Sequence, residues 1–179
     1  MPERKKDATS SPDWKKIARY VLTSRIMDEI EEKDLYPKRL VPYQFSARGH
    51  ELCQVVLGAF LTHKHDGLGA YYRSRPVALS LGLSVENAFA ASLAKAGSHS
   101  EGRDIGAVIN LPAENSATIL PVAGDVGSQY TPAAGWAQAI EFRRKVLKDS
   151  EYNDAIAVVQ GGEGSVATNG FWSGLTIAT

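Results

Sequence analysis

The chain predicts an α/β fold, a parallel sheet flanked by helices. Three features carry that expectation. An apolar, β-branched run, Ala155 to Gln160, is bounded by glycines and reads as a buried strand. A strong helical stretch, 131–147, precedes it, and a further helical stretch follows it to Thr179. Two earlier apolar helical segments, 51–61 and 85–95, complete the alternation.

Taken in order, Met1 to Ser11 is polar and charged, with no apolar h-region, so it is not a secretory signal. Residues 1–12 are expected as a disordered tail ahead of a single domain, 13–179. Ser11 and Pro12 fit a helix cap and first position. Trp14, Ile17, Val21, Ile26 and Ile30 then recur near helical spacing to about Lys33. A loop through Pro37 and Pro42 leads to helix 51–61. Cys53 lies in that helix and reads as a small buried hydrophobe. Ser84 caps a third helix over Val85 to Lys95, with Ala88, Phe89 and Leu93 on one face. Gly97 to Glu114 reads as loop, and Ile119 to Val122 as a strand end. Thr131 is the expected cap of helix 131–147, with Pro132 at its first position and Arg143, Arg144, Lys145 and Lys148 at its end, where the dipole favours cations. Its alanines suit close packing on a sheet. The visible strands are too few for a covered parallel sheet, and the last helix lacks a stop signal. The chain is therefore expected to be the N-terminal, incomplete part of its fold, poorly soluble or molten on its own.

Composition bounds the function. Lysine plus arginine equals aspartate plus glutamate, 20 each, so no net field favours nucleic acid. The single cysteine excludes an internal disulfide and suits a reducing, cytoplasmic location. No apolar run is long enough to span a membrane.

The most chemical stretch is Gly161-Gly-Glu-Gly164. Glycines let the backbone turn sharply and approach a ligand. The helix after them is expected to offer its N-terminus to an anion. Glu163 adds a hard oxygen ligand for a phosphate-bound magnesium. Gly162-x-Gly164-x-x-Ala167 also fits a dinucleotide fingerprint, whose acidic ribose ligand would fall past Thr179. His63, His65 and Asp66 read as solvated side chains rather than a metal site. His99 has no evident partner. Asp104 and Asp125 pair only if the fold unites them.

Several segments occur in one order: Arg48-Gly-His-Glu51, Ala70-Tyr-Tyr-Arg-Ser-Arg-Pro76, Leu81-Gly-Leu-Ser84, Gly102-Arg103, Gly124-Asp-Val-Gly-Ser-Gln129 and Gly162-Glu-Gly164. Together they resemble the alpha portion of the thiamine-diphosphate-dependent 2-oxoacid dehydrogenases, the decarboxylating first component of those complexes. The Gly-Glu-Gly turn is similar to that of fused, branched-chain-type forms. The resemblance implies the thiamine-diphosphate-binding fold. It implies that Tyr72 and Arg73 contact the diphosphate, and that Gly124 and Val126 line the aminopyrimidine. Gly162, Glu163, Gly164 and Ser165 would form the first half of the diphosphate motif, with Glu163 on magnesium. Ser128 and Gln129 would help hold potassium. The motif's asparagine would fall near position 192, and its usual acid is replaced by Thr168. His50-Glu51 reads as structural. No residue is expected to transfer protons, because the activating carboxylate and catalytic histidines lie outside these residues. The implied partners are a beta portion and a lipoyl-bearing acyltransferase, in a dimer or heterotetramer. A transketolase-like or acetoin-cleaving thiamine-diphosphate enzyme, a dinucleotide-binding oxidoreductase and a non-catalytic remnant that folds only as a partner's subunit are the alternatives.

Overall fold

A computed structural model describes residues 11–103, 108–113 and 116–179. Helix α1, Trp14–Ile30, widens into a π-helical turn, Glu31–Leu35. There follow α2 (Glu51–Phe60), β1 (Gly67–Gly69), α3 (Arg75–Ser80), α4 (Val85–Ser92), β2 (Thr118–Ile119), α5 (Tyr130–Lys145), β3 (Ala157–Val159) and α6 (Asn169–Ala178). The three strands form one parallel sheet in the order β2-β1-β3. Parallel neighbours need crossovers: the chain passes through α3 and α4 between β1 and β2, and through α5 between β2 and β3. The expected α/β architecture is therefore present.

Helix ends differ from expectation for local reasons. Asp13, not Ser11, caps α1: its carboxylate accepts from the Lys16 N–H at 3.0 Å. Ser84 caps α4 as expected, accepting from the Asn87 N–H. Thr131 does not cap α5, which begins one residue earlier at Tyr130 after Gln129. Pro132 still falls in the first turn, where its missing N–H costs nothing. On α1 the buried face is Ile17, Ser24, Met27 and Asp28, while Trp14 and Ile26 face outward. That face is partly acidic because Arg75 packs against it. Cys53 is exposed rather than buried, its thiol donating to the His50 carbonyl.

The core gathers Met27, Leu61, Leu68, Val77, Leu79, Leu83, Ala88 and Ile119 around β1. Helix α5 crosses the sheet closely because β1 is glycine-flanked. A Cβ at Gly67 would lie 2.4 Å from the Trp136 ring, whose indole N–H donates to the His65 carbonyl. Asp66, fully buried, ties the strand starts together by accepting from the His63 and Ile156 N–H groups. His65 stacks on Tyr152 at 3.9 Å. This trio is thus a packed corner, not the solvated loop expected. Among the described residues no group of three or more histidine, cysteine or carboxylate side chains could hold a metal, and no helix is long and apolar enough to cross a membrane.

Candidate functional site

Each strand hands its C-terminal end to a loop, and the three loops converge. Residues 71–73 follow β1, 123–126 follow β2, and 162–165 follow β3. Together they line one cleft of about 770 Å³, whose remaining wall is Glu32, Ser46, Arg48, His50 and Gln129. The carboxyl ends of parallel strands are where open α/β sheets bind ligands. All eight residues expected at the site, Tyr72, Arg73, Gly124, Val126, Gly162, Glu163, Gly164 and Ser165, line this cleft.

The loops are locked to each other. The Gln129 side chain, buried, donates to the Gln160 carbonyl at 2.9 Å. The Ser74 hydroxyl donates to Gln160 Oε1 and accepts from the Tyr71 N–H. Gly127 adopts φ +92°, and a Cβ there would lie 2.1 Å from the Thr168 hydroxyl. Only glycine satisfies both constraints. The Ser128 hydroxyl donates to the Ala123 carbonyl.

Arg73 is aimed rather than free. Its Nη1 donates to the Ser46 carbonyl at 2.7 Å, its own carbonyl accepts from Gln54 Nε2, and its guanidinium lies over the Phe45 and Tyr72 rings. One N–H of five is used in the described contacts, and Arg73 lines the cleft, which leaves the rest of the fork available to an anion there. Glu163 is exposed in the same cleft, with no hydrogen bond or ion pair among the described residues. Burial is the main cause that pushes the Tyr71 phenol up, so it stays a neutral donor beside them.

The glycine turn differs from expectation in two ways. It runs into a 3-10 turn, Glu163–Ala167, and α6 starts only at Asn169. No residue of α6 lines the cleft, and its first turn packs on the Gly127 carbonyl, 2.1 Å from where a Cβ on Gly170 would sit. Thr168, at the position of the missing acid, is the cap of α6: its hydroxyl accepts from the Phe171 N–H at 3.3 Å and donates to the Ser165 carbonyl at 2.7 Å. The dinucleotide fingerprint needs its helix to open in the glycine turn, and here it does not. Ser165 lines the cleft with its hydroxyl turned inward. That hydroxyl donates to the Gly162 carbonyl and so accepts from the Tyr130 hydroxyl, each at 2.5 Å.

Sequence reasoning missed the support beneath the cleft. Arg75, in the same motif as Arg73, is buried and pairs with Asp28 at 3.1 Å and Glu31 at 2.6 Å. Asp28 also accepts from the Ser46 hydroxyl and the Ala47 N–H, which fixes the loop that holds Arg73. Burial is the largest influence on Asp28 and holds its carboxyl above the ordinary range, against the pull of Arg75. Glu51 feels burial most, which raises it, yet the Arg25 hydrogen bond and the Gly49 N–H bring it below the ordinary range. Glu51 is structural, as expected, whereas His50 lines the cleft. A second arginine within three residues of Arg73 was the available signal. His99, expected without a partner, bonds Asn87 Oδ1 through its Nδ1 at 2.9 Å. Asp104, the possible partner of Asp125, lies outside the described residues.

Residues 18–179 match the family model described as "Dehydrogenase E1 component".

Proposed function

The chain belongs to the dehydrogenase E1 component family, the thiamine-diphosphate-dependent first components of 2-oxoacid dehydrogenases, and we propose that its three-loop cleft is the diphosphate end of the cofactor site. The observation that carries this is the convergence of Arg73, Tyr72 and Glu163 with the glycine loops 123–126 and 162–164 on one cleft at the strand ends. The donor set fits the group. A mostly unused guanidinium fork and a phenol suit diphosphate oxygens. A lone carboxylate suits magnesium, whose charge offsets that of the diphosphate.

In this reading Arg73 and Tyr72 hold the diphosphate. Glu163 supplies one oxygen to the metal. Gly124 and Val126 present backbone groups to the aminopyrimidine, and Ser165 positions the turn rather than touching the cofactor. Potassium would sit at the same loop, where the Ser128 oxygen keeps its lone pairs after donating its proton. When bound, thiamine diphosphate supplies the nucleophilic carbon that adds to a 2-oxoacid and lets carbon dioxide leave. This chain binds and orients the cofactor; no residue of it is given a proton-transfer role. A beta portion would complete the site, and a lipoyl-bearing acyltransferase would take the acyl group. The Gly-Glu-Gly turn favours a fused, branched-chain-type enzyme.

The test is calorimetric titration of thiamine diphosphate into the parent and Glu163→Gln at fixed magnesium. The variant keeps size and one oxygen but loses the charge, so affinity should fall roughly ten- to a hundred-fold. Equal affinities, or binding that ignores magnesium, would remove the metal role.

A further inference from the structure

Arg73 is pinned at both ends, and one pin belongs to a residue outside the cleft. The Ser46 carbonyl holds the guanidinium. Gln54, in the first turn of α2, holds the backbone: its Nε2 donates to the Arg73 carbonyl at 3.0 Å. That carbonyl lies between β1 and α3, which opens only at Arg75, and no backbone N–H among the described residues bonds it. Gln54 therefore sets the orientation of the peptide that carries the loop into α3.

Stability does not account for a glutamine at this position. The residue is 2% exposed. Its other end, Oε1, is buried with no hydrogen-bond partner among the described residues. A buried acceptor left without a donor costs more than one neutral hydrogen bond returns. Methionine has a similar length and no polar atom to satisfy, so it would pack there as well. Arg73 is only half-buried, so in that variant its carbonyl is free to turn to water. The fold would survive, and the loop would lose its fixed orientation.

An arginine side chain has many rotamers, and ordering it for a ligand carries an entropic cost. A pin at each end removes much of that freedom before the ligand arrives. We infer that Gln54 is a positioning residue for Arg73: by holding its carbonyl from α2, it fixes where the unused guanidinium N–H groups stand when a diphosphate binds. The inference rests on reading the cleft as the diphosphate site.

The experiment uses the assembled enzyme freed of cofactor, at fixed magnesium, and reads calorimetric affinities beside Tm. Gln54→Met should weaken thiamine diphosphate binding roughly five- to tenfold, with Tm within about 4 °C of the parent. Pyrophosphate, which carries only the end that Arg73 holds, should lose a similar factor. Arg73→Met keeps the stem and removes the fork. In that background Gln54→Met should change affinity less than about twofold, because the group it positions is gone. A merely structural glutamine would not show that coupling. Unchanged affinity in Gln54→Met overturns the inference, as do spared pyrophosphate binding, an undiminished loss in the Arg73→Met background, or a Tm fall well beyond that range. Gln54→Leu is the second variant; if neither apolar residue lets the enzyme fold, Gln54 is structural and the inference falls. Arg73→Met measured alone separates the two readings. Parent-like affinity there removes the diphosphate reading itself. A weakened Arg73→Met beside a parent-like Gln54→Met overturns only the role of Gln54.

Discussion

Arg75→Leu should be the most damaging single change under the cleft. Arg75 is 5% exposed, and its two partners, Asp28 and Glu31, have side chains that are 1% exposed. Leucine fills much of the volume but leaves two carboxylates without their cation. Glu31 Oε1 already lacks a partner, so nothing nearby compensates. Removing one member of a buried ion pair costs about 3–5 kcal/mol. At this chain length that is roughly a 6–20 °C fall in Tm. The loss should shrink in acid, where Asp28 takes up a proton. In the parent its raised carboxyl contributes stability fully below the unfolded value, and loses it as pH rises through the folded value. Arg75→Leu combined with Asp28→Asn and Glu31→Gln should recover most of the loss, since no unpaired charge remains. Urea denaturation of parent, single and triple variants, at neutral and acid pH, measures all of this. A single variant within about 1 kcal/mol of the parent, or a triple variant as unstable as the single, would refute the reasoning.

Three further outcomes follow from the geometry. Arg73→Lys keeps the charge but loses the fork, so it should weaken thiamine diphosphate binding and spare an analogue lacking the diphosphate; paired calorimetric titrations check it. Thr168→Val removes the α6 cap and the bond to Ser165, and should cost about 1 kcal/mol, read as a lower Tm; an unchanged Tm would mean the cap is idle. His65 is held below its ordinary value, chiefly by burial, then by Lys64 and His63. The unfolded chain therefore binds that proton more readily, and stability is lost as pH falls from the ordinary value through the folded one. His65→Phe keeps the stack on Tyr152, and its stability profile should be flatter across that window; superimposable profiles would exclude His65 as the source.

The sequence determined the elements whose signals are local. Hydrophobic periodicity placed α2, α4 and α5, and glycine bounds placed β3, within a few residues. The order of glycine and tyrosine–arginine motifs identified the eight residues that line the cleft and pointed to the family. It did not show β1, because Gly67-Leu-Gly69 is short and carries no alternation; its strand character comes from pairing with β2 and β3. Only the tertiary structure gave Arg73 and Arg75 opposite roles. Both stand in one short motif, yet the second is buried because α1 and the turn after it present Asp28 and Glu31 opposite it. Likewise Thr168 became a cap and Ser165 an inward brace through contacts with Phe171 and Tyr130. Local patterns follow from the chain's own geometry, a few residues at a time. The partner of a charge, or the free face of a hydroxyl, depends on segments tens of residues away, and only packing brings those together.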